Sequence, residues 1–181
     1  YAPLELPHQK IIVTNSQKAR LAVDERYQER QAQCQEALHD LQTVIAIQNL
    51  SELTADVFEQ VQEMIRRPVC LRRARHAVTE NQRTIQAVEA LNKGDIREFG
   101  QLMNASHLSL KEDFEVSCEE LDILVEEAWE IEGVLGSRMM GAGFGGCTIS
   151  IVENDAVNEF VSRVGTHYKE RTGRTAEFYI M

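Results

Sequence analysis

The sequence predicts an α+β fold in which strands from both ends of the chain share one sheet and helices fill the middle. The first strand signal is the β-branched run Ile11-Ile12-Val13, which stands between Pro7 and Asn15-Ser16. From about residue 17 to 165 the apolar residues recur at the 3.6-residue spacing of helices, with two interruptions. The last segment, 175–181, again has the composition of a strand. The sheet must therefore form between distant parts of the chain.

The individual elements follow from their start and stop signals. One or two strands are expected over residues 4–14. Three apolar stripes then predict three helices: one that ends at Pro68, one closed by Lys93-Gly94, and one from Ile96 to Leu110. The stripe residues are, in chain order, Val57, Phe58, Val61, Met64 and Ile65; Val78, Ile85, Val88 and Leu91; and Ile96, Phe99, Leu102, Met103, Ser106 and Leu110.

The C-terminal third of the chain carries two further helices and a strand. Ser117 and Glu120 have capping-box spacing and predict a helix that runs to Ile131. Residues 148–152 predict a strand, and Asn154-Asp155 is expected to cap the last helix. The glycines expected to end the last two helices are Gly133 and Gly173.

Composition limits the class of protein. The 181 residues are 43% hydrophobic and 27% charged, which is typical of a soluble globular domain or a single lobe of a larger protein. Nineteen basic against 29 acidic residues give a net charge of −10, which argues against a partner with a phosphate backbone. The longest uncharged stretch, 139–152, is interrupted by glycines, so we predict a buried strand with a turn there and no membrane span.

The four cysteines lie far apart and form no C-x-x-C pair, so they predict neither a zinc site nor a redox dithiol. A reduced, cytoplasmic protein is the better interpretation, since a chain of this length needs no disulfide framework. No signal peptide is evident at the start. Because Tyr1 is not a methionine, we expect the chain to begin inside a longer polypeptide.

A glycine-rich segment at 141–146 matches the pattern G-x-G-x-x-G. A dinucleotide-binding motif needs a strand before the glycines and a helix after them. Here the predicted order is helix, glycines, strand, so the dinucleotide interpretation fails. Two alternatives remain: a turn whose backbone closely approaches a ligand or another loop, or a tight helix-to-strand connection that binds nothing.

Five arginines lie within ten residues of this acidic chain: Arg66, Arg67, Arg72, Arg73 and Arg75. A phosphate clamp is conceivable, but a solvated helix face paired with nearby carboxylates is the more common arrangement. His76 and His107 lie beside apolar stripes and are interpreted as structural histidines. No group of residues has the sequence spacing of a metal-binding triad or of a nucleophile with its general base.

Four ordered blocks along the whole chain resemble the C-terminal half of the galactokinases, within the GHMP family of small-molecule kinases. They are Asn15-Ser16 with Tyr27, Arg30 and Cys34; Arg72–His76 with Glu80 and Arg83; Ser106–Leu110 with Val116–Asp122; and Gly136–Cys147. The resemblance implies one domain over residues 1–181: a GHMP-kinase C-terminal lobe, whose antiparallel sheet from the chain ends packs against a helical layer.

The resemblance also implies a function: cytoplasmic, ATP-dependent phosphorylation of galactose with magnesium in the intact protein. The phosphate loop, the sugar-binding acidic segment and the catalytic Asp are expected before Tyr1, so no catalytic residue, metal ligand or bound cofactor is predicted in this chain. Tyr27 is the one implied sugar contact, because its phenol can hydrogen-bond a hydroxyl while its ring covers the sugar face. Gly141, Gly143, Gly145 and Gly146 are expected beside the cleft.

Three positions depart from the family pattern: Met140 replaces a common Thr, Glu25 stands where Ser is frequent, and Gln31 where a second Arg is usual. The Met140 change matters most, because it removes a hydroxyl near the expected cleft. Three alternatives stay open: a galactokinase-like sugar sensor without turnover, an N-acetylgalactosamine kinase, and an interaction module in which Tyr27 and the glycine loop are only structural. Loss of the other half is expected to expose apolar surface that favours self-association.

Overall fold

The computed structural model describes residues 4–20 and 23–181 as a four-stranded sheet with six α-helices. The predicted domain starts at Tyr1, which lies outside these ranges. The strands are β1 (Gln9–Asn15), β2 (Val134–Met139), β3 (Cys147–Glu153) and β4 (Glu177–Ile180). The helices are α1 (Val23–Leu41), α2 (Ala55–Val61), α3 (Pro68–Lys93), α4 (Ile96–Glu112), α5 (Glu119–Trp129) and α6 (Val157–Thr172).

The sheet is antiparallel throughout, in the order β2-β3-β1-β4. The predicted α+β class is confirmed, and β1 and β4 come from the two ends of the chain. Helices α5 and α6 cover one face, where Ile12, Leu124 and Phe160 belong to one buried cluster. Helix α4 packs against β2, while α1 to α3 form a second core around Leu41, Phe58 and Val78.

Strand β2 was not predicted, and it changes the context of the glycine segment. The glycines connect β2 to β3 as a strand-to-strand loop, so the predicted order of helix, glycines and strand is wrong. The strand is hidden in the sequence because Gly136 and Ser137 are small or polar yet buried. Gly136 lies against Gly100 of α4, and the hydroxyls of Ser137 and Ser150 lie 2.8 Å apart. Because neither residue is a large apolar one, the segment lacks the alternation of apolar and polar residues that predicts a strand.

Several predicted boundaries also shift. Helix α2 ends at Val61 and a 3₁₀ turn covers 62–64, while Pro68 is the first residue of α3. The N-cap of α5 is Cys118, because the Ser117 hydroxyl bonds the Asp122 carboxylate at 2.5 Å, and the helix ends at Trp129. Ala156 precedes α6, so the expected Asn154-Asp155 cap is wrong. No described helix is both long and apolar enough to cross a membrane.

Candidate active-site region

Tyr27 lies on α1 with its side chain turned to solvent. The residue is 53% exposed, so it is not part of a core. It lines an open groove with Val23, Asp24, Gln28 and Ala142. Because Ala142 belongs to the glycine-rich loop, the structure brings the predicted sugar contact and the predicted loop together, although they are more than one hundred residues apart in the sequence.

Two glycines of the glycine-rich loop approach neighbouring backbone closely, and the other two lie against the Arg20 side chain. Gly141, Gly143, Gly145 and Gly146 all have positive φ. A Cβ on Gly143 would lie 2.9 Å from the Val116 carbonyl carbon, and one on Gly145 would lie 2.8 Å from the Lys18 carbonyl oxygen. Internal packing therefore accounts for these glycines without a ligand. Their expected place beside a cleft stays a prediction.

Hydrogen bonds fix the loop to the segment after β1. The Ser16 hydroxyl donates to the Gly146 carbonyl at 2.6 Å, and the Gly146 amide donates to the Lys18 carbonyl at 3.2 Å. The Arg20 Nε donates to the Gly145 carbonyl at 3.3 Å. Ser16 is part of a block that carries the family resemblance, but its contact across 130 residues could not be inferred from spacing.

The turn between α4 and α5, residues 113–116, connects α1, α3 and the glycine-rich loop. Arg30 of α1 donates to the carbonyls of Phe114, at 2.7 Å, and Glu115, at 3.0 Å. The Phe144 amide of the loop donates to the Val116 carbonyl at 2.7 Å. Arg30 lies one turn after Tyr27, so this turn sets the position of the tyrosine relative to the loop. Sequence reasoning missed this role for Arg30.

The arginine cluster is paired with carboxylates in the structure. Arg66 lies 3.4 Å from Asp40, Arg67 lies 2.6 Å from Glu36, Arg75 lies 3.6 Å from Asp113, and Arg72 and Arg73 share Glu115. The predicted pairing of these arginines with nearby carboxylates is confirmed. The predicted solvated face is wrong at one position, because Arg73 is 1% exposed.

A second polar cluster lies between α3, α4 and the end of β2. The Glu80 carboxylate accepts from the Ser106 hydroxyl at 2.5 Å and from the Arg83 Nε at 2.7 Å, with Arg138 at 3.6 Å. Burial opposes ionisation of Glu80, yet these two hydrogen bonds hold its pKa below the ordinary value. His76 faces the same cluster and stacks on Phe114 with ring centroids 4.5 Å apart.

His76 should make the protein less stable as the pH falls. Burial lowers its pKa from 6.5 to about 4, with Arg83 and Arg138 acting in the same direction and Glu80 and Asp113 against it. Below pH 6.5 His76 binds a proton in the unfolded chain, whereas in the folded chain it binds that proton only near pH 4. The histidine should therefore contribute a loss of about 3 kcal/mol across that window.

Denaturant unfolding between pH 7 and 4.5 measures this effect. His76→Asn retains a polar atom that can reach Ser109, whose hydroxyl lies 2.9 Å from Nδ1, but it does not titrate. The variant should be less stable at pH 7, because the stacking on Phe114 is lost, and its stability should vary less with pH. Equal pH slopes in both proteins would contradict the assignment.

His107 is structural, as predicted: its Nδ1 accepts from the Met139 amide at 3.2 Å, and its Nε2 lies 3.4 Å from the Asp122 carboxylate. Within residues 4–20 and 23–181, no three His, Cys, Asp or Glu side chains are grouped so that they could hold a metal ion. We assign the magnesium ion implied by the resemblance no step in this chain.

Comparison with known proteins agrees with this arrangement. The family model described as GHMP kinases C terminal matches residues 87–170. A galactokinase of Levilactobacillus brevis is 51% identical over 99% of this chain, and one of Fusobacterium nucleatum is 52% identical over 99%. The chain is therefore similar to GHMP kinases over this region and to galactokinases along nearly its entire length. It spans about half the length of these curated relatives, 46% in each case.

Two solved kinase structures have the same fold. The crystal structure of Lactococcus lactis galactokinase complexed with galactose superposes with a TM-score of 0.95 and 46% identity, covering 98% of this chain and 46% of that one. Leishmania mevalonate kinase in complex with R-mevalonate reaches a TM-score of 0.60 at 20% identity. The second likeness concerns the fold alone. The predicted GHMP-kinase C-terminal lobe is confirmed.

Proposed function

We propose that this chain is the C-terminal half of a galactokinase, which in the whole protein transfers the γ-phosphate of ATP to the anomeric hydroxyl of galactose. The observation that carries the proposal is identity near 50% to galactokinases along nearly the entire chain, together with the TM-score of 0.95 to a galactose-bound one. Residues 1–181 would form a single domain of a cytoplasmic enzyme.

The residues of this chain would serve substrate binding and support. The exposed Tyr27 ring would cover the sugar face and its phenol would hydrogen-bond a hydroxyl. Gly141, Gly143, Gly145 and Gly146 would hold a compact loop beside the cleft and support the phosphate loop of the other half. That half would supply the catalytic carboxylate and bind MgATP, whose magnesium neutralises phosphate charge.

The proposal predicts that the 181-residue chain alone is inert and that the polypeptide carrying an N-terminal half before it is active. We expect galactose-dependent ADP production from the longer polypeptide and none above a no-protein control from the chain alone, because the proposal assigns the phosphate-binding loop and the catalytic carboxylate to the other half. Turnover by the chain alone would contradict the proposed division of roles.

Tyr27→Phe in the whole enzyme tests the sugar contact. Loss of the hydroxyl should weaken galactose binding by about 0.5–1.5 kcal/mol, which appears chiefly as a raised KM. The melting temperature should hardly change, because the side chain is already 53% exposed. A lowered melting temperature with an unchanged KM for galactose would show that the tyrosine is structural.

One observation favours a second candidate function, that of a non-catalytic relative of the galactokinases. Met140 stands at the start of the glycine-rich loop, 36% exposed, where the family commonly has a threonine hydroxyl. A galactokinase-like sugar sensor would bind galactose with no ADP release, and an N-acetylgalactosamine kinase would prefer the acetylated sugar. Calorimetric binding of both sugars, run beside the ADP assay on the whole polypeptide, separates the three activities.

A further inference from the structure

The open edge of strand β2 is held by side chains of helix α4. Strand β2 lies at one end of the sheet, so its outward-facing amides have no neighbouring strand to bond. Asn104 accepts a hydrogen bond from the Ser137 amide at 2.8 Å, and His107 accepts one from the Met139 amide at 3.2 Å. Because Asn104 and His107 are three residues apart, they lie on the same face of α4. The helix thus takes the place of a further strand at this edge.

The hydrogen bond to His107 is the one nearer to the glycine-rich loop. Met139 is the last residue of β2, and one residue separates it from that loop. The Met139 side chain is fully buried in a cluster that also contains Phe144 of the loop. Val23, at the start of α1, packs against the same cluster and lines the groove of Tyr27. A displacement of Met139 would therefore reach both sides of the proposed sugar site.

The surroundings of the His107 ring fix its orientation. The residue is 1% exposed, and its Nδ1 accepts from Met139, so the ring proton of the neutral form lies on Nε2. Nε2 faces the Asp122 carboxylate at 3.4 Å without an aligned hydrogen bond, so the carboxylate orients the ring chiefly by its charge. That carboxylate is held in turn by the Ser117 hydroxyl at 2.5 Å. The ring also packs edge-to-face with Trp129, with centroids 5.7 Å apart.

We propose that His107, oriented by Asp122, is a positioning residue for the sugar site: it holds the Met139 amide and so sets the glycine-rich loop against Tyr27. This inference rests on the proposed function. His107 is buried and would not touch the sugar itself. Its effect falls on galactose binding, because the loop and Tyr27 line one groove, and not on the chemical step that the proposal assigns to the other half. The alternative is a histidine that only stabilises the packing of α4 on β2.

Two substitutions separate the roles of the two ring nitrogens. In His107→Asn the amide oxygen takes the place of Nδ1 and can still accept from the Met139 amide. In His107→Gln the polar end of the side chain takes the place of Nε2, so it still reaches Asp122 but leaves the buried Met139 amide without its acceptor. Val164→Ala is the control for lost stability, because Val164 is buried in a separate cluster.

In the whole polypeptide, His107→Gln should raise the KM for galactose about fivefold and change kcat by less than about twofold. His107→Asn should keep the KM within about twofold of the unsubstituted protein, although it too loses the packing on Trp129. Val164→Ala should be less stable with an unchanged KM. Equal KM values for the two His107 variants would overturn the proposal, and so would a raised KM in Val164→Ala, because galactose binding would then follow stability alone.

Hydrogen exchange of residues 138–146 in the same proteins gives a readout that needs no turnover. Exchange there should be about fivefold faster in His107→Gln than in His107→Asn, and equal exchange would overturn the proposal. Faster exchange without galactose-dependent ADP from the unsubstituted protein would support the anchoring of the loop while refuting the proposed function. If His107→Gln does not fold, Asp122→Ala takes its place, because it frees the ring and leaves Nδ1 intact. It should raise the KM in the same direction, and an unchanged KM would overturn the proposal.

Discussion

Gly136→Ala should destabilise the fold by about 3 kcal/mol or more, a large part of the stability of a single domain. The new Cβ would lie 2.5 Å from the Gly100 Cα and 2.7 Å from its carbonyl carbon. These are backbone atoms of α4, so no side chain can move aside, and β2 and α4 must separate. The midpoint of denaturant unfolding measures the loss.

Two further glycine variants control this result. Gly100→Ala probes the same contact from the helix, since its Cβ would lie 2.5 Å from the Leu135 carbonyl carbon, and it should be similarly damaging. Gly165→Ala adds a methyl group 3.3 Å from the Phe178 ring, a side chain that can shift, and it gains helix propensity. That variant should remain near wild-type stability. An unfolding midpoint for Gly136→Ala equal to that of Gly165→Ala would contradict the close packing of β2 on α4.

Two of the helix ends were predictable because their signals are local, whereas the ends predicted at Pro68 and Gly133 were wrong. Gly94 and Gly173 take the left-handed conformation at the C-caps of α3 and α6, where the sequence predicted both. The predicted N-caps failed for a physical reason. The Ser117 hydroxyl instead bonds the carboxylate of Asp122, five residues further along the chain, and a cap rule that considers only positions 117 and 120 does not include that competitor.

The candidate site was predictable only in part. Tyr27 and the glycine-rich loop were named from the family resemblance, and the structure places them side by side. What holds them there could not be predicted. The 113–116 turn binds Arg30 and Phe144 through its backbone carbonyls. Every residue has a carbonyl, so the sequence does not indicate which of them will accept these hydrogen bonds. Glu115 takes a positive φ of 54°, a conformation that side-chain chemistry does not indicate for glutamate.

Arg73→Met should cost about 3–5 kcal/mol of stability, because it removes one member of a buried polar network. The Arg73 Nε donates to Gln33 at 2.7 Å, one Nη donates to the Asp113 carbonyl at 2.5 Å, and the other donates to the Glu115 carboxylate. Methionine fills much of the same volume but satisfies none of these acceptors. Chemical denaturation at pH 7 measures the loss.

Arg72→Met is the matched control, since Arg72 bonds the same Glu115 carboxylate at 3.0 Å but its side chain is 37% exposed. An exposed pair of this kind contributes about 1 kcal/mol or less, so equal losses in the two variants would contradict the buried network.

The pH dependence of stability gives a second test. The hydrogen bond from Arg73 lowers the pKa of Glu115, so the stability from this pair is present above the ordinary carboxylate pKa and is lost as the pH falls through the lowered one. Arg73→Met should therefore lose less stability on acidification than Arg72→Met. Under the proposed function, Arg73→Met should also raise the KM for galactose in the whole enzyme, because Glu115 belongs to the turn that holds the glycine-rich loop, whereas Arg72→Met should leave it unchanged.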